Sequence, residues 1–182
     1  MVDAFVINLH RVLKNRIVNC LRGHERMMNE NFEKDLNNAV LCWLATVDSD
    51  GQPNVSSKEI FCQDGEDAIV IANIASPVSA RNIMANTRVC FSFIDIFRQR
   101  GFKVKGEARL ILPDDPEFPI KGAELFKKAG NDFKIRSLFF VKIKSVQKIL
   151  APSYSIFPDR TVDQQMLNAY KTYGVSPVKS LS

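Results

Sequence analysis

A segment in the middle of the chain has the residue types and spacing of an anion-binding helix start. In residues 69–86 (IVIANIASPVSARNIMAN), Ser76 suits the N-cap position, Pro77 the first helical position and Ser79 the third. The unpaired amides and the positive dipole end of such a helix favour a phosphate, with Ser79 and Arg81 within reach. The alternative interpretation is that Ser76 and Pro77 only begin a helix, because most caps bind no ligand.

A second polar group precedes this segment on a predicted strand. Residues 53–61 are expected to be extended, and their alternation places Ser56 and Lys58 on one face. Beside the helix start, this face would add a positive charge to a phosphate site. The competing interpretation is that Lys58 is a solvated surface lysine, as most lysines are.

The positions of the histidines exclude several kinds of catalytic centre. Both His10 and His24 precede residue 27. Residues 27–182 therefore cannot build a Ser-His-Asp or Cys-His arrangement, or a zinc or haem site held by histidine. The phosphate-loop patterns GxxxxGK[ST] and GxGxxG are also absent from the sequence. No catalytic residue or metal ligand is predicted, so any chemistry is expected to come from a cofactor.

Composition predicts one globular domain. The 182 residues are 46% hydrophobic and 25% charged, and no apolar run is long enough to predict a membrane span. Four cysteines (Cys20, Cys42, Cys62 and Cys90) lie far apart and form no C-x-x-C pair. This spacing argues against zinc and indicates reduced thiols in a cytoplasmic protein.

The net charge of +5 comes mostly from the first 26 residues, which hold five basic and two acidic side chains. The rest has no basic stripe interleaved with aromatics, so no nucleic-acid partner is predicted. Residues 1–27 are interpreted as a basic N-terminal extension and residues 28–182 as a single domain with a C-terminal helix. The extension has apolar residues at helical spacing, such as Phe5, Leu9 and Leu13. It is either an upstream-extended reading frame or loosely attached helix, or a segment with its own function at a membrane surface or in targeting.

The remaining pattern predicts a mainly β fold. A short helix is expected over 31–38, with strands over 40–47, 53–61, 68–74, 89–95, 102–112 and 138–149. Helices are expected over 76–86, where Ala80, Ile83 and Met84 would be buried, over 113–130, and from a capping box at Thr161 to Tyr173. Trp43 is expected in the core. Short hairpin-linked strands with one inserted helix indicate an antiparallel, Greek-key-like β-barrel with flanking helices, either closed or split, and not a parallel sheet.

Three stretches carry a family resemblance: LCWLATVDSDGQPNVSSKEIF (41–61), AIVIANIASPVSARNIMANTRVCFSF (68–93) and GFKVKGEARLI (101–111). They resemble the FMN-binding split barrel of the pyridoxamine 5′-phosphate oxidase-like family over roughly residues 31–150. The likeness is to the small flavoproteins of this family and not to the oxidase itself, whose C-terminal substrate segment has no counterpart in 151–182.

The resemblance implies a homodimer with two FMN molecules at the subunit interface, their phosphate and ribityl chains held by segments 54–58 and 73–82. The family places Ser-Arg-Lys at the helix start where this chain has Pro77, Val78 and Ser79. Lys58 and Arg81 would then substitute for the missing basic residues. The cofactor-binding residues that the resemblance implies are Ser56, Ser57, Lys58, Asn73, Ala75, Ser76, Ser79, Arg81 and Asn82, with Gln99 and Lys103 near the loop that approaches the flavin.

The implied activity is that of an FMN-dependent oxidoreductase that transfers hydride through the flavin to or from an unknown small substrate. Two alternatives are a non-catalytic flavin-binding or redox-sensing dimer, and a dimeric scaffold without cofactor. A dimer is also expected because strand 89–95 is apolar on both faces. The alternative cover for that strand is the terminal helix, which has Val162, Met166, Ala169 and Tyr173 at helical spacing.

Overall fold

The computed structural model describes residues 30–177, which form one antiparallel sheet and five helices. The strands are β1 (Cys42–Val47), β2 (Pro53–Lys58), β3 (Phe61–Asp64), β4 (Ala68–Asn73), β5 (Arg88–Asp95), β6 (Arg100–Ile111) and β7 (Ser137–Leu150). The helices are α1 (Glu30–Asn38), α2 (Pro77–Ala85), α3 (Glu117–Ala129), α4 (Ser153–Ile156) and α5 (Val162–Tyr173). The predicted extension over 1–27 lies outside the described residues.

The sheet is rolled but not closed. Its strand order is β2-β1-β5-β6-β7-β4-β3, and every neighbouring pair is antiparallel. The two edge strands, β2 and β3, are consecutive in the sequence, and only Glu59 and Ile60 separate them. The chain therefore steps across the gap between the edges without a ladder joining β2 to β3. This arrangement confirms the predicted split barrel with flanking helices.

Aromatic residues fill the inside of the rolled sheet. Phe91 and Phe93 on β5 and Phe102 on β6 are almost fully buried, together with Phe32 of helix α1. The Phe32 ring lies 5.2 Å from that of Phe93, in an edge-on arrangement, so helix α1 closes one end of the barrel.

Helix α3 covers the outside of the sheet at one edge only. Leu125 and Ala129 of this helix pack with Val70 on β4 and Leu138 on β7, so β4 is buried on both faces. At the opposite edge, Trp43 on β1 and other outward-facing side chains of β1, β2 and β5 remain accessible. None of the helices within residues 30–177 is long and apolar enough to cross a membrane.

Two predicted core residues are wrong. Trp43 is 48% exposed, because it faces the outer side of β1, which none of the helices within residues 30–177 covers, whereas Cys42 and Leu44 face the core. Met84 is 70% exposed, because helix α2 buries Ser79, Asn82 and Ile83 instead. In addition, the strand predicted over 53–61 ends at Lys58, where the chain leaves one edge of the sheet for the other.

The terminal helix begins as predicted but packs elsewhere than proposed. Thr161 and Gln164 form both hydrogen bonds of the capping box. The helix lies against the β5–β6 loop, where the Phe97 ring is 4.8 Å from that of Tyr170. On β5, Val89, Phe91 and Phe93 face the core as expected, while Ile94 stays 39% exposed.

Candidate functional site

A buried lysine lies at the end of edge strand β2. Lys58 is 6% exposed, because alternation along β2 turns Asn54, Ser56 and Lys58 toward helix α2. Its Nζ donates to Ser56 Oγ at 2.5 Å, to the Ser57 carbonyl at 3.1 Å and to Ser76 Oγ at 2.9 Å. Three acceptors match the three protons of an ammonium group, so the amine is fully hydrogen-bonded.

Within residues 30–177, no carboxylate lies within ion-pair distance of the Lys58 ammonium group. None of the ion pairs between described residues includes Lys58. Burial lowers its pKa, and the thiol of Cys42 across the ladder stays neutral because burial raises the pKa of that thiol. Hydroxyl and carbonyl partners leave a buried cation electrostatically uncompensated, and an anion would compensate it.

The N-terminus of helix α2 contacts Lys58 through Ser76. Ser76 is the N-cap, but its side chain caps no amide of the helix; its Oγ accepts from Lys58 instead. The Ser76 amide donates to Asn73 Oδ1 at 3.1 Å, which fixes the turn between β4 and the helix. The amides of Val78 and Ser79 have no acceptor among the described residues, and Pro77 has no amide hydrogen.

A buried polar network connects the helix to β1 and β2. Ser79 Oγ lies 2.9 Å from Ser56 Oγ and accepts from Asn54 Nδ2 at 3.3 Å. The side-chain amides of Asn54 and Asn82 both donate from Nδ2 to Thr46 Oγ1, at 3.2 and 3.1 Å. Each polar side chain of this network thus has a partner, and the network holds the helix start in one position over β2.

A cavity of about 210 Å³ opens beside Lys58 and Ser76. Its other walls include Ser57, Ile60, Ala75 and Phe133. Ligand pockets usually measure roughly 300–1,000 Å³. The cavity is therefore large enough for one end of a larger ligand, with the remainder bound outside it.

Most of the residues that the sequence indicated lie together. The cluster contains Ser56, Ser57, Lys58, Asn73, Ala75, Ser76, Ser79 and Asn82. Ser79 and Asn82 belong to its buried network, Ala75 lines the cavity, and Asn73 Nδ2 donates to Ser137 Oγ at 2.9 Å.

Three indicated residues lie outside this cluster. Arg81 is exposed, roughly 200° around the helix from Ser79, and forms no ion pair with a described residue. Gln99, at φ 52°, binds the side chain of Gln165 on helix α5. Lys103 lies on the outer face of β6, opposite Ser92 of β5.

Several residues that belong to the cluster were not singled out by the sequence analysis. Asn54 could have been found, because it shares the alternation of Ser56 and Lys58. Thr46 is a polar residue on the otherwise apolar buried face of β1, and this contrast could be recognised only once the structure showed which face is buried. Ser137 and Phe133 come from a distant part of the chain, and nothing local marks them.

The cavity adjoins the uncovered outer face of the sheet. Ser57, which lines the cavity, is paired in register with Trp43 of β1, and Trp43 with Ser92 of β5. Ser92 is in turn paired with Lys103 of β6. A row of side chains thus runs from the cavity across four strands. A ligand anchored at Lys58 could extend over this face.

Solved structures of low sequence identity share the fold. An FMN-binding protein from Syntrophomonas wolfei subsp. wolfei aligns with a TM-score of 0.62 at 19% identity, over 77% of this chain and 98% of its own. HupZ from Group A Streptococcus aligns with a TM-score of 0.59 at 18% identity, over 68% of this chain and 94% of its own. The heme storage protein HutZ from Vibrio cholerae aligns with a TM-score of 0.50 at 21% identity, over 68% and 94%.

The family is identified by sequence. No curated protein matches the chain. The family model described as pyridoxamine 5′-phosphate oxidase matches residues 28–149, which span β1 to β7 almost completely and include the whole Lys58 cluster. The chain therefore belongs to the pyridoxamine 5′-phosphate oxidase family.

Proposed function

We propose that this protein is an FMN-binding flavoprotein that acts as an oxidoreductase on a small substrate. The observation that carries the proposal is the uncompensated charge of Lys58 at the start of helix α2, beside a cavity. The FMN-binding protein from Syntrophomonas wolfei, which has the same fold, supports FMN as the ligand.

The residues of the cluster fit the phosphate end of FMN. Lys58 supplies the charge, the Ser76 hydroxyl bonded to it can donate to the phosphate, and the amides of Val78 and Ser79, which have no acceptor among the described residues, supply further donors. Charge-assisted hydrogen bonds of this kind contribute about 1.5–3 kcal/mol each. Asn54, Ser79 and Asn82 hold the helix start in position and are not required to touch the ligand.

We propose a homodimer in which a second subunit completes the flavin site. The cavity is too small for a whole FMN, and the adjoining outer face exposes apolar side chains that a soluble monomer rarely leaves in a contiguous patch. Trp43 is 48% and Val55 60% exposed on this face. The terminal helix, which was the alternative cover, packs on the β5–β6 loop.

The bound flavin would supply hydride transfer, so the chain needs only to orient it and exclude water. A second candidate is a non-catalytic flavin-binding or redox-sensing protein. The observation that favours it is the lack of histidine, the usual acid–base residue near neutral pH, in residues 27–182. We further propose that residues 28–182 form the functional domain and that the protein is cytoplasmic, as the free thiols of Cys42, Cys62 and Cys90 suggest.

The proposal is tested by titrating the full-length protein with FMN and following the quenching of flavin fluorescence. The proposed site is supported if FMN binds saturably and the Lys58→Met variant binds it much more weakly. The proposal is overturned if this variant binds FMN with wild-type affinity. Turnover of NADH or NADPH by the FMN-loaded protein separates the enzyme from the non-catalytic binder. Haem is the control ligand, because the heme storage protein HutZ shares the fold. Residues 30–177 contain no histidine to ligate haem, so the expected ligand is FMN and not haem.

A further inference from the structure

A second cavity, the hairpin groove, lies at the end of the sheet away from Lys58. It is lined by residues at the β1–β2 hairpin and on β5, β6 and β7, and its volume is about 390 Å³. Pro53, on its wall, and Lys58 are at opposite ends of β2, which places them roughly 17 Å apart. The groove is therefore separate from the Lys58 cavity.

The floor of the hairpin groove is apolar. The uncharged lining residues are Ala45, Thr46 and Val47 of β1, Pro53 of β2, Val89 and Cys90 of β5, and Gly106 of β6, and all of them except Thr46 lack a polar side chain other than the thiol. Cys90 is a free, partly accessible thiol. A volume within the usual range of ligand pockets and an apolar floor fit the flat body of a small organic molecule.

The rim of the groove is cationic. Arg88, Lys105 and Lys144 line it, with Glu107 as the single carboxylate. Glu107 pairs with Lys144 at 3.0 Å, whereas Arg88 and Lys105 are in no ion pair with a described residue. Two unpaired cations beside an apolar floor favour a ligand with a negatively charged group.

The backbone is irregular at the same place. The pairing of β6 with β7 shifts register between Lys105 and Gly106, and both residues line the groove. A side chain at Gly106 would lie 2.5 Å from the Lys142 carbonyl, so this position requires glycine. Register shifts of this kind redirect neighbouring side chains and are enriched near binding sites.

We infer that the hairpin groove is a second ligand site, for a small organic anion with an apolar, flat body and a carboxylate or sulfonate group. Arg88 and Lys105 bind the charged group, and the floor around Cys90 receives the apolar body. The groove shares no lining residue with the Lys58 cavity. Ala45 and Cys90 lie two residues along β1 and β5 from Trp43 and Ser92, so the inference rests on a proposed dimer and flavin site that leave this end of the outer face open.

The probe for this site is 8-anilinonaphthalene-1-sulfonate, titrated into the full-length protein and followed by its fluorescence. We expect saturable binding that Arg88→Gln/Lys105→Gln weakens at least tenfold. The matched control Lys34→Gln/Lys171→Gln removes two exposed charges outside the groove and should change affinity less than twofold. The uncharged analogue N-phenyl-1-naphthylamine should bind wild type and the groove variant equally.

A second measurement uses the wild-type protein and so does not depend on the folding of any variant. Alkylation of Cys90, followed by peptide mass spectrometry, should slow at least fivefold when the probe saturates. Cys62, also partly accessible but on β3, should react at an unchanged rate. Unchanged probe affinity in the groove variant, or an unprotected Cys90, overturns the inference. Displacement of the probe by FMN also overturns it, because the groove would then belong to the flavin site.

Discussion

Lys58 on strand β2 and Ser76 at the start of helix α2 are joined by a hydrogen bond of 2.9 Å from Nζ to Oγ. The bond connects an edge strand to a helix N-terminus across the gap in the barrel. Ser76 accepts this bond and caps no amide of its own helix, so the amides of Val78 and Ser79, which have no acceptor among the described residues, stay available to a ligand. A side chain that could stabilise the helix is thus used to hold a charge.

This relationship predicts that Lys58 lowers stability in the absence of ligand. Replacement of a buried, uncompensated charge by an apolar side chain of similar length is often neutral or stabilising. We expect Lys58→Met to leave the free energy of unfolding of the FMN-free protein unchanged or higher, while FMN affinity falls on the order of 10²-fold. Urea unfolding and flavin titration measure the two effects. A substantial loss of stability would instead assign Lys58 a structural role.

The lowered pKa of Lys58 predicts that the stability of the FMN-free protein and its affinity for FMN change with pH in opposite directions. Its folded-state pKa lies below the ordinary 10.5 because burial disfavours the charge. Between these two pKa values the unfolded chain binds the additional proton, so the stability of the FMN-free protein should rise with pH. FMN affinity should fall over the same window, because the neutral amine no longer attracts phosphate. Titrations from neutral pH to about 10.5 test both trends, and Lys58→Met should lose this component of each.

Ser79 and Arg81 should behave differently when replaced singly. Ser79 is 1% exposed and bonded to Ser56, so Ser79→Ala disturbs the position of the helix start, and FMN should bind about tenfold more weakly. Arg81 points away from the cluster, so Arg81→Ala should change affinity less than twofold. Flavin fluorescence titration of the two variants measures the difference. A large effect of Arg81→Ala would mean that the arginine reaches the phosphate from the outside.

Local sequence patterns predicted those parts of the site that depend on local geometry. Alternation put Ser56 and Lys58 on one face, and the Ser76-Pro77 pair marked the helix start, because strand period and cap preference act over a few residues. The same holds for the capping box at Thr161.

The errors concern the packing of elements distant in the sequence. Trp43 was expected in the core, but whether the outer face of β1 is covered depends on where helix α3 packs, and it packs on the other edge. Ser137 joins Asn73 from 64 residues away, and no short-range pattern reports such a contact. Met84 was misplaced because the polar network of Ser79 and Asn82 takes the buried face of helix α2, where an apolar stripe was expected.

The exposed face around Trp43 predicts how the proposed dimer is held. Trp43 and Val55 lie on the neighbouring strands β1 and β2 and are 48% and 60% exposed, while Ser57, paired with Trp43, lines the Lys58 cavity. A charge placed in a buried apolar interface is strongly unfavourable, so Trp43→Lys should convert the dimer to a monomer without unfolding it. Light scattering gives the mass, and circular dichroism checks the fold. Ile120→Lys is the matched control, because Ile120 is 73% exposed on helix α3, and this variant should remain dimeric.

Because the cavity at Lys58 holds only one end of FMN, the Trp43→Lys monomer should also bind FMN at least tenfold more weakly. A monomeric wild-type protein that binds FMN tightly would contradict the shared site.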